Sequence, residues 1–384
     1  MSKRNVLLSV PNLKGRELEY VTTAVETEWV STGGPYVNDF EAKIAEYAHA
    51  GAAASCQNGT SGLHLAMLAV GVTDEDLVIV PTLTFIAAVN PVKYIGAEPV
   101  FMDCDDSLCL DPQKLRKFCV EECVIDGDRL IDKTNGKTVK AVVVVHVFGN
   151  MADMEAIMDV AAEYKLKVIE DATEAIGTYY TEGRYANKYA GTIGDIGVYS
   201  FNGNKIITTG GGGMVVSDNK DYINHIRHIS TQAKSDELYY EHDEIGFNYR
   251  MTNLQAALGL GQLEQLETFI ATKNKNKALY KEALKDSRFS ILDNRSGIRS
   301  NCWFYALMCE DSVERDKLIV YLKENGIQSR PIWGLISEQK PYEGARKYEI
   351  EKAFYYWQRV VNIPCSTNLN EDDLHYVCDC LLKF

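Results

Sequence analysis

Short apolar runs alternate with amphipathic stretches through the first two thirds of the chain. Leu77–Val80 ends at Pro81, Pro99–Met102 leads to Asp103, and Ala141–Val145 is almost wholly β-branched. A helical pattern then covers about Asp153 to Tyr164, before Val168–Ile169 runs into Glu170 and Asp171 and Gly197–Phe201 forms another apolar run. Strands covered on both faces read as continuous apolar runs, so this alternation predicts an α/β domain built on a mostly parallel sheet. Ligands of such sheets sit beyond the carboxyl ends of the strands. The pattern puts His146, Asp171 and Ser200 at such ends.

The polar stretch from about Asp126 to Lys140 predicts a surface hairpin or excursion between a helix and the next strand. From Asn253 the spacing of Leu254, Leu258, Leu263, Leu266 and Ile270 predicts one long helix. Beyond about Asp286 the segments shorten and mix. The division expected is a large α/β domain over residues 1–265 and a smaller α+β domain over 266–384. The first ~30 residues are expected to pack on the smaller one.

Length and charge narrow the function. A chain of 384 residues suits two or three domains. Forty basic residues against fifty-four acidic ones give a net charge of −14, which argues against a nucleic-acid partner. No apolar run approaches the roughly 18 residues of a membrane helix. Val6–Val10 before Pro11 is too short for the apolar region of a signal peptide, so the expected location is the cytoplasm. The ten cysteines are scattered without a CxxC pair or a zinc-like spacing. They read as buried hydrophobes in a reducing compartment, with no metal site among them.

The candidate chemistry begins at Gly197–Val216, GVYSFNGNKIITTGGGGMVV, where Lys205 is the only charged residue. The segment lacks the GxxxxGK[ST] spacing of a P-loop, and a glycine run alone is weak evidence for phosphate binding. Four further segments accompany it: NGTSGLHLA at 58–66, PTLTFIAAVN at 81–90, EDATEAIG at 170–177 and GFNYRMTNLQAA at 246–257. In this order and spacing the chain resembles the DegT/StrS group of pyridoxal-phosphate (PLP) sugar aminotransferases. The likeness runs from STGGPYVNDFE at 31–41 to SRPIW at 329–333. The resemblance implies the fold-type I, aspartate aminotransferase-like architecture. NGNKIITT and YEHDEIGFNYR look most like the enzymes that aminate UDP-4-keto-6-deoxy-N-acetylglucosamine in bacillosamine and legionaminic acid pathways. GDP-4-keto-6-deoxymannose, which gives perosamine, is the alternative sugar.

The resemblance also implies roles. Lys205 would form the Schiff base with the cofactor and then move the proton, which requires an amine whose charged form is disfavoured. Asp171 would pair with the pyridinium nitrogen. Gly59, Thr60 and Ser61 at a helix start, with Ser200, would hold the phosphate. Asn248 would reach it from a neighbouring subunit, and Phe85 would stack on the ring. Many relatives carry Gln or His at the position of Glu174, beside the phenolic oxygen, so a carboxyl there implies a raised pKa or a shared proton. Gly211 replaces a common Glu. Trp29, Val30, Ser31 and Thr32 would line the sugar pocket, with His242, Arg250 and Arg330 as further substrate contacts.

The expected reaction takes an amino group from L-glutamate, through pyridoxamine phosphate, to a nucleotide-linked keto-sugar in two half-reactions at one site. A homodimer with shared sites is the expected unit. Related sugar dehydratases carry histidine in place of the lysine, so Lys205 argues against that chemistry. A regulator built on the same domain, binding PLP or sugar without turnover, is the rival of a different class. His146 reads as a satisfied structural histidine.

Overall fold

The computed structural model describes residues 4–236 and 238–384. Eight strands form the main path of its large sheet, in the spatial order Ala52–Cys56, Gly213–Ser217, Ile196–Ser200, Lys167–Asp171, Thr138–Val145, Asp76–Pro81, Glu98–Met102 and Arg346–Tyr348. From Ile196–Ser200 onward every neighbouring pair is parallel, while the first two strands join antiparallel. The strands are buried along nearly their whole length, which explains their continuous apolar runs.

The excursion is a hairpin, Cys123–Asp126 with Arg129–Asp132, between the helix Pro112–Glu122 and the strand Thr138–Val145. That helix ends before Cys123, so Cys119 and Cys123 do not share a helical face. All ten cysteines are buried and free.

Two features differ from the sequence expectation. The long helix is two, Asn253–Leu263 and Leu266–Leu284. Its first part closes with a tightened turn, the Gln265 N–H donating to the Gln262 carbonyl, and the axis restarts there. Residues after 266 also do not keep to one unit. A second core gathers Val6, Tyr280, Leu284, Tyr305, Leu318, Val361 and Ile363 beneath a four-stranded antiparallel sheet. Arg346–Tyr348, however, crosses back to pair with Glu98–Met102, and Tyr342, Tyr348 and Tyr356 join the main core.

The amino-terminal residues lie on the second unit: Val6 bridges Ile327, and the Cys365 N–H donates to the Leu8 carbonyl. The helix Glu17–Glu26 packs instead on Asn253–Leu263. No described helix is long and apolar enough to cross a membrane.

Candidate active site

The carboxyl end of the strand Lys167–Asp171 carries two acids with different surroundings. Glu170 is fully buried and accepts the N–H groups of Gly191 (2.8 Å) and Ile193 (2.6 Å). The Gly194 N–H (2.5 Å) and His146 complete its shell: Nδ1 of the histidine accepts the Ala152 N–H, so Nε2 carries the proton and donates to Glu170 at 2.8 Å. The structural reading of His146 holds in this geometry. Glu170→Ala would leave these buried donors unpaired, and a loss of about 3 kcal/mol is expected in urea unfolding.

Asp171 is also buried, but its recorded partner is the Thr173 N–H at 3.1 Å. Among the described residues no cationic side chain reaches ion-pair distance of it, and burial raises its carboxyl above the ordinary range.

Lys205 stands on the loop between the strands Ile196–Ser200 and Gly213–Ser217. Backbone bonds from Phe201 to Gly212 and from Thr209 to Phe201 fix that loop. Its Nζ lies 3.8 Å from Glu174 Oε1 and 4.1 Å from the centre of the Trp303 ring. Burial lowers the lysine pKa against the opposing pull of Glu174 and Asp171. The same burial pushes Glu174 up to about 7, while the Lys205 charge holds it down. The second oxygen of Glu174 accepts the Phe148 N–H at 2.7 Å. Phe148 has φ of 57°, a left-handed conformation unusual for an aromatic residue, and its N–H is thereby fixed on Glu174.

The helix Gly59–Ala69 begins at the same place. Asn58 caps it by accepting the Ser61 N–H at 2.8 Å. The N–H groups of Gly59 and Thr60 have no protein acceptor among the described residues. A Cβ on Gly59 would sit 2.9 Å from Thr173 Cγ2 and 3.0 Å from Ser200 Cβ, so only glycine fits.

A cavity of about 640 Å³ joins these groups. It brings together Gly59, Thr60, Phe85, Asp171, Glu174, Ser200, Lys205 and Arg330 from the sequence-expected set. Phe85 faces it with half its surface exposed, 6.5 Å from the Trp333 ring.

The other expected residues do not line it. Ser61 turns into the Asn58 cap. Trp29, Val30, Ser31 and Thr32 lie in the turn before the helix Pro35–Ala48, where Asn253 holds the Trp29 and Ser31 carbonyls. His242 lies on a two-stranded hairpin, with Nδ1 against the Gln232 carbonyl, and Asn248 bridges Thr231. Arg250 opens on a separate cleft beside Glu41 and Arg227.

Sequence reasoning missed Trp303, Trp333 and Asn362, which reach the cavity from the second half of the chain. Trp303 carries no sequence signal, since a tryptophan before a strand reads as core. Asn362 does carry one: it is a polar residue inside the apolar strand VVNI.

A desolvated lysine, a buried carboxylate without a cationic partner and a helix start with free N–H groups share one cavity. A solved aminotransferase from Brucella abortus superposes with a TM-score of 0.87 at 27% identity, over 95% of this chain and 94% of that one. The architecture is thus the fold-type I arrangement. GDP-perosamine synthase of Escherichia coli O157:H7 is 37% identical over 97% of each chain. A UDP-4-amino-4,6-dideoxy-N-acetyl-beta-L-altrosamine transaminase of Campylobacter jejuni is 28% identical, over 98% of this chain and 97% of its own. Residues 11–382 match the family as a whole, and the chain belongs to the DegT/DnrJ/EryC1/StrS aminotransferase family.

Proposed function

We propose that this chain is a PLP-dependent aminotransferase that moves an amino group from L-glutamate to the keto carbon of GDP-4-keto-6-deoxymannose. One observation carries the aminotransferase reading: Lys205, its charged form disfavoured by burial, shares a cavity with a buried carboxylate that lacks a cation. Sequence likeness favours the GDP-linked sugar over the UDP-linked one first expected, at 37% identity against 28%.

The residues present fit the cofactor. Asp171 would hold a proton at the ring nitrogen, which supplies the missing cation. The N–H groups of Gly59 and Thr60, with the Ser200 hydroxyl, would take the phosphate at the helix start. Phe85 would cover one ring face, and its exposed ring is free to do so. PLP, when bound, supplies an electron sink for the pair of electrons left on the substrate carbon. Lys205 would engage the aldehyde and then carry the proton between substrate and cofactor carbons. The Trp303 ring and the cavity walls would keep that amine out of bulk water.

Trp29 to Thr32, His242, Asn248 and Arg250 would act in the cavity of a second copy, which makes the working unit a homodimer. Leu238, Tyr239, Tyr240 and Ile245, exposed on and beside the His242 hairpin, offer an apolar surface for that contact.

Glu174 gives a pH-dependent prediction. Burial already raises this carboxyl, and a phenolate facing it would raise it further, so its protonated form can donate to the cofactor's phenolic oxygen while its ionised form repels it. The visible absorbance of the PLP-loaded protein should therefore titrate at a pH above the ordinary carboxylate range. Glu174→Gln should lose that transition, and an unchanged titration would count against the assignment.

The activity test is direct. L-Glutamate should bleach the visible band of the loaded protein, and GDP-4-keto-6-deoxymannose should restore it with release of an amino-sugar nucleotide seen by mass. Restoration by the UDP-linked N-acetyl sugar alone would move the reading back to that substrate. No band with PLP would sink the aminotransferase reading.

A further inference from the structure

The strand Val360–Ile363 alternates between two surfaces, as strands must. Val361 and Ile363 face the second core, and Val360 faces the main one. By that alternation Asn362 shares the Val360 side, where it lines the cavity at 4% exposure. Its Oδ1 is shut off from solvent with no hydrogen-bond partner among the described residues, and a turn of the amide about its last side-chain bond brings it to the cavity. Arg330 pairs directly with Asn362 across the sheet, so the two side chains leave the same face and line the same cavity. Apart from Lys205, Arg330 is the only cation in the described lining.

Asparagine is depleted in strands, and a buried amide oxygen without a partner destabilises the fold. A ligand that completes the amide would remove that penalty. The chemistry of the amide selects the ligand. An amino-acid carboxylate or a diphosphate offers acceptors only; it could satisfy Arg330 but would leave Oδ1 unpaired. A hydroxyl both donates to Oδ1 and accepts from Nδ2.

We propose that Asn362 is a specificity-determining residue that binds a ring hydroxyl of the hexose, with its neighbour Arg330 left to the anionic part of the nucleotide sugar. This rests on the nucleotide-sugar reading above. A site built to pair a hydroxyl discriminates against analogues that lack it, because its own polar atoms are then stranded. Asn362 would thus read the sugar, independently of the base.

The test measures binding by calorimetry to the PLP-loaded protein, with GDP-mannose and GDP as probes. Asn362→Leu and Asn362→Ala should each weaken GDP-mannose about tenfold, the value of a pair of neutral hydrogen bonds, while GDP binds as before. The melting temperature of the leucine variant should hold or rise, since an unpaired amide has gone. Equal weakening of both probes, or a fall in melting temperature of both variants with no selective loss, would make Asn362 structural and overturn the proposal. Unchanged GDP-mannose binding would overturn it as well. The wild-type protein separates this from the broader reading: if it binds UDP-N-acetylglucosamine and not GDP-mannose, only the nucleotide changes and the same comparison runs with UDP as control. Binding of neither sugar nucleotide would remove the substrate class and the Asn362 assignment together.

Discussion

Lys205→Ala is expected to lower amino transfer by at least about a thousandfold while the protein stays folded. The expectation of an intact fold comes from how the lysine is held. Its loop is fixed by backbone bonds between Phe201, Thr209 and Gly212, and by the Trp303 indole donating to the Asn204 carbonyl at 2.8 Å. The ammonium itself contributes one long contact to Glu174 and its place over Trp303. Burial already opposes its charge, so truncation relieves a desolvated group.

Lys205→Arg should fail equally. A guanidinium stays protonated at any working pH and cannot serve as the nucleophilic or proton-accepting amine. In Lys205→Ala, loss of the positive charge would also let the Glu174 carboxyl rise further, because that charge holds it down. Product formation from L-glutamate and the keto-sugar, with circular dichroism as the fold control, checks the prediction. Retention of a tenth of wild-type turnover by either variant would remove Lys205 from the chemistry.

The sheet was legible in the sequence for a physical reason. Strands such as Thr138–Val145 and Lys167–Asp171 are covered on both sides, and only apolar runs tolerate that. Their carboxyl ends then located Asp171 and Ser200 at the cavity without further information. Arg346–Tyr348 was not legible, since three residues with two charges form a strand only because Glu98–Met102 offers them an edge. The break near Gln265 was also hidden: the leucine spacing continues across it, and the tightened turn depends on backbone bonding.

The cavity's second wall shows the same limit. Trp303 and Asn362 reach Lys205's cavity through pairings between segments far apart in sequence, such as Arg330 with Asn362. No local pattern encodes such a meeting. Family resemblance named Asn248 and Arg250, yet these lie away from this chain's own cavity, as a role in a neighbouring subunit's cavity would require.

Asp171→Asn should reduce turnover by about a hundredfold to a thousandfold, the scale on which removing one preorganised electrostatic partner slows a reaction. The substitution keeps size and can still accept the Thr173 N–H, so it removes charge with little change of shape. The ring nitrogen of the cofactor would then lose the group that keeps it protonated, and the electron sink would weaken at its source. PLP should still bind through Gly59, Thr60 and Ser200, so the loss should appear in kcat more than in cofactor affinity.

Stability of the cofactor-free protein should move the other way. The folded carboxyl is raised above its unfolded value of 3.8, so the native state holds the extra proton in the window above 3.8. Its contribution to stability is therefore full below that value and is lost as pH rises through the folded pKa. Asp171→Asn removes that decline, and its melting temperature at neutral pH should equal or exceed that of the wild type. A variant as active as the wild type would show that the buried carboxylate does not serve the ring nitrogen. A variant that unfolds more easily would show that Asp171 is kept for the fold, with Thr173 as its true partner.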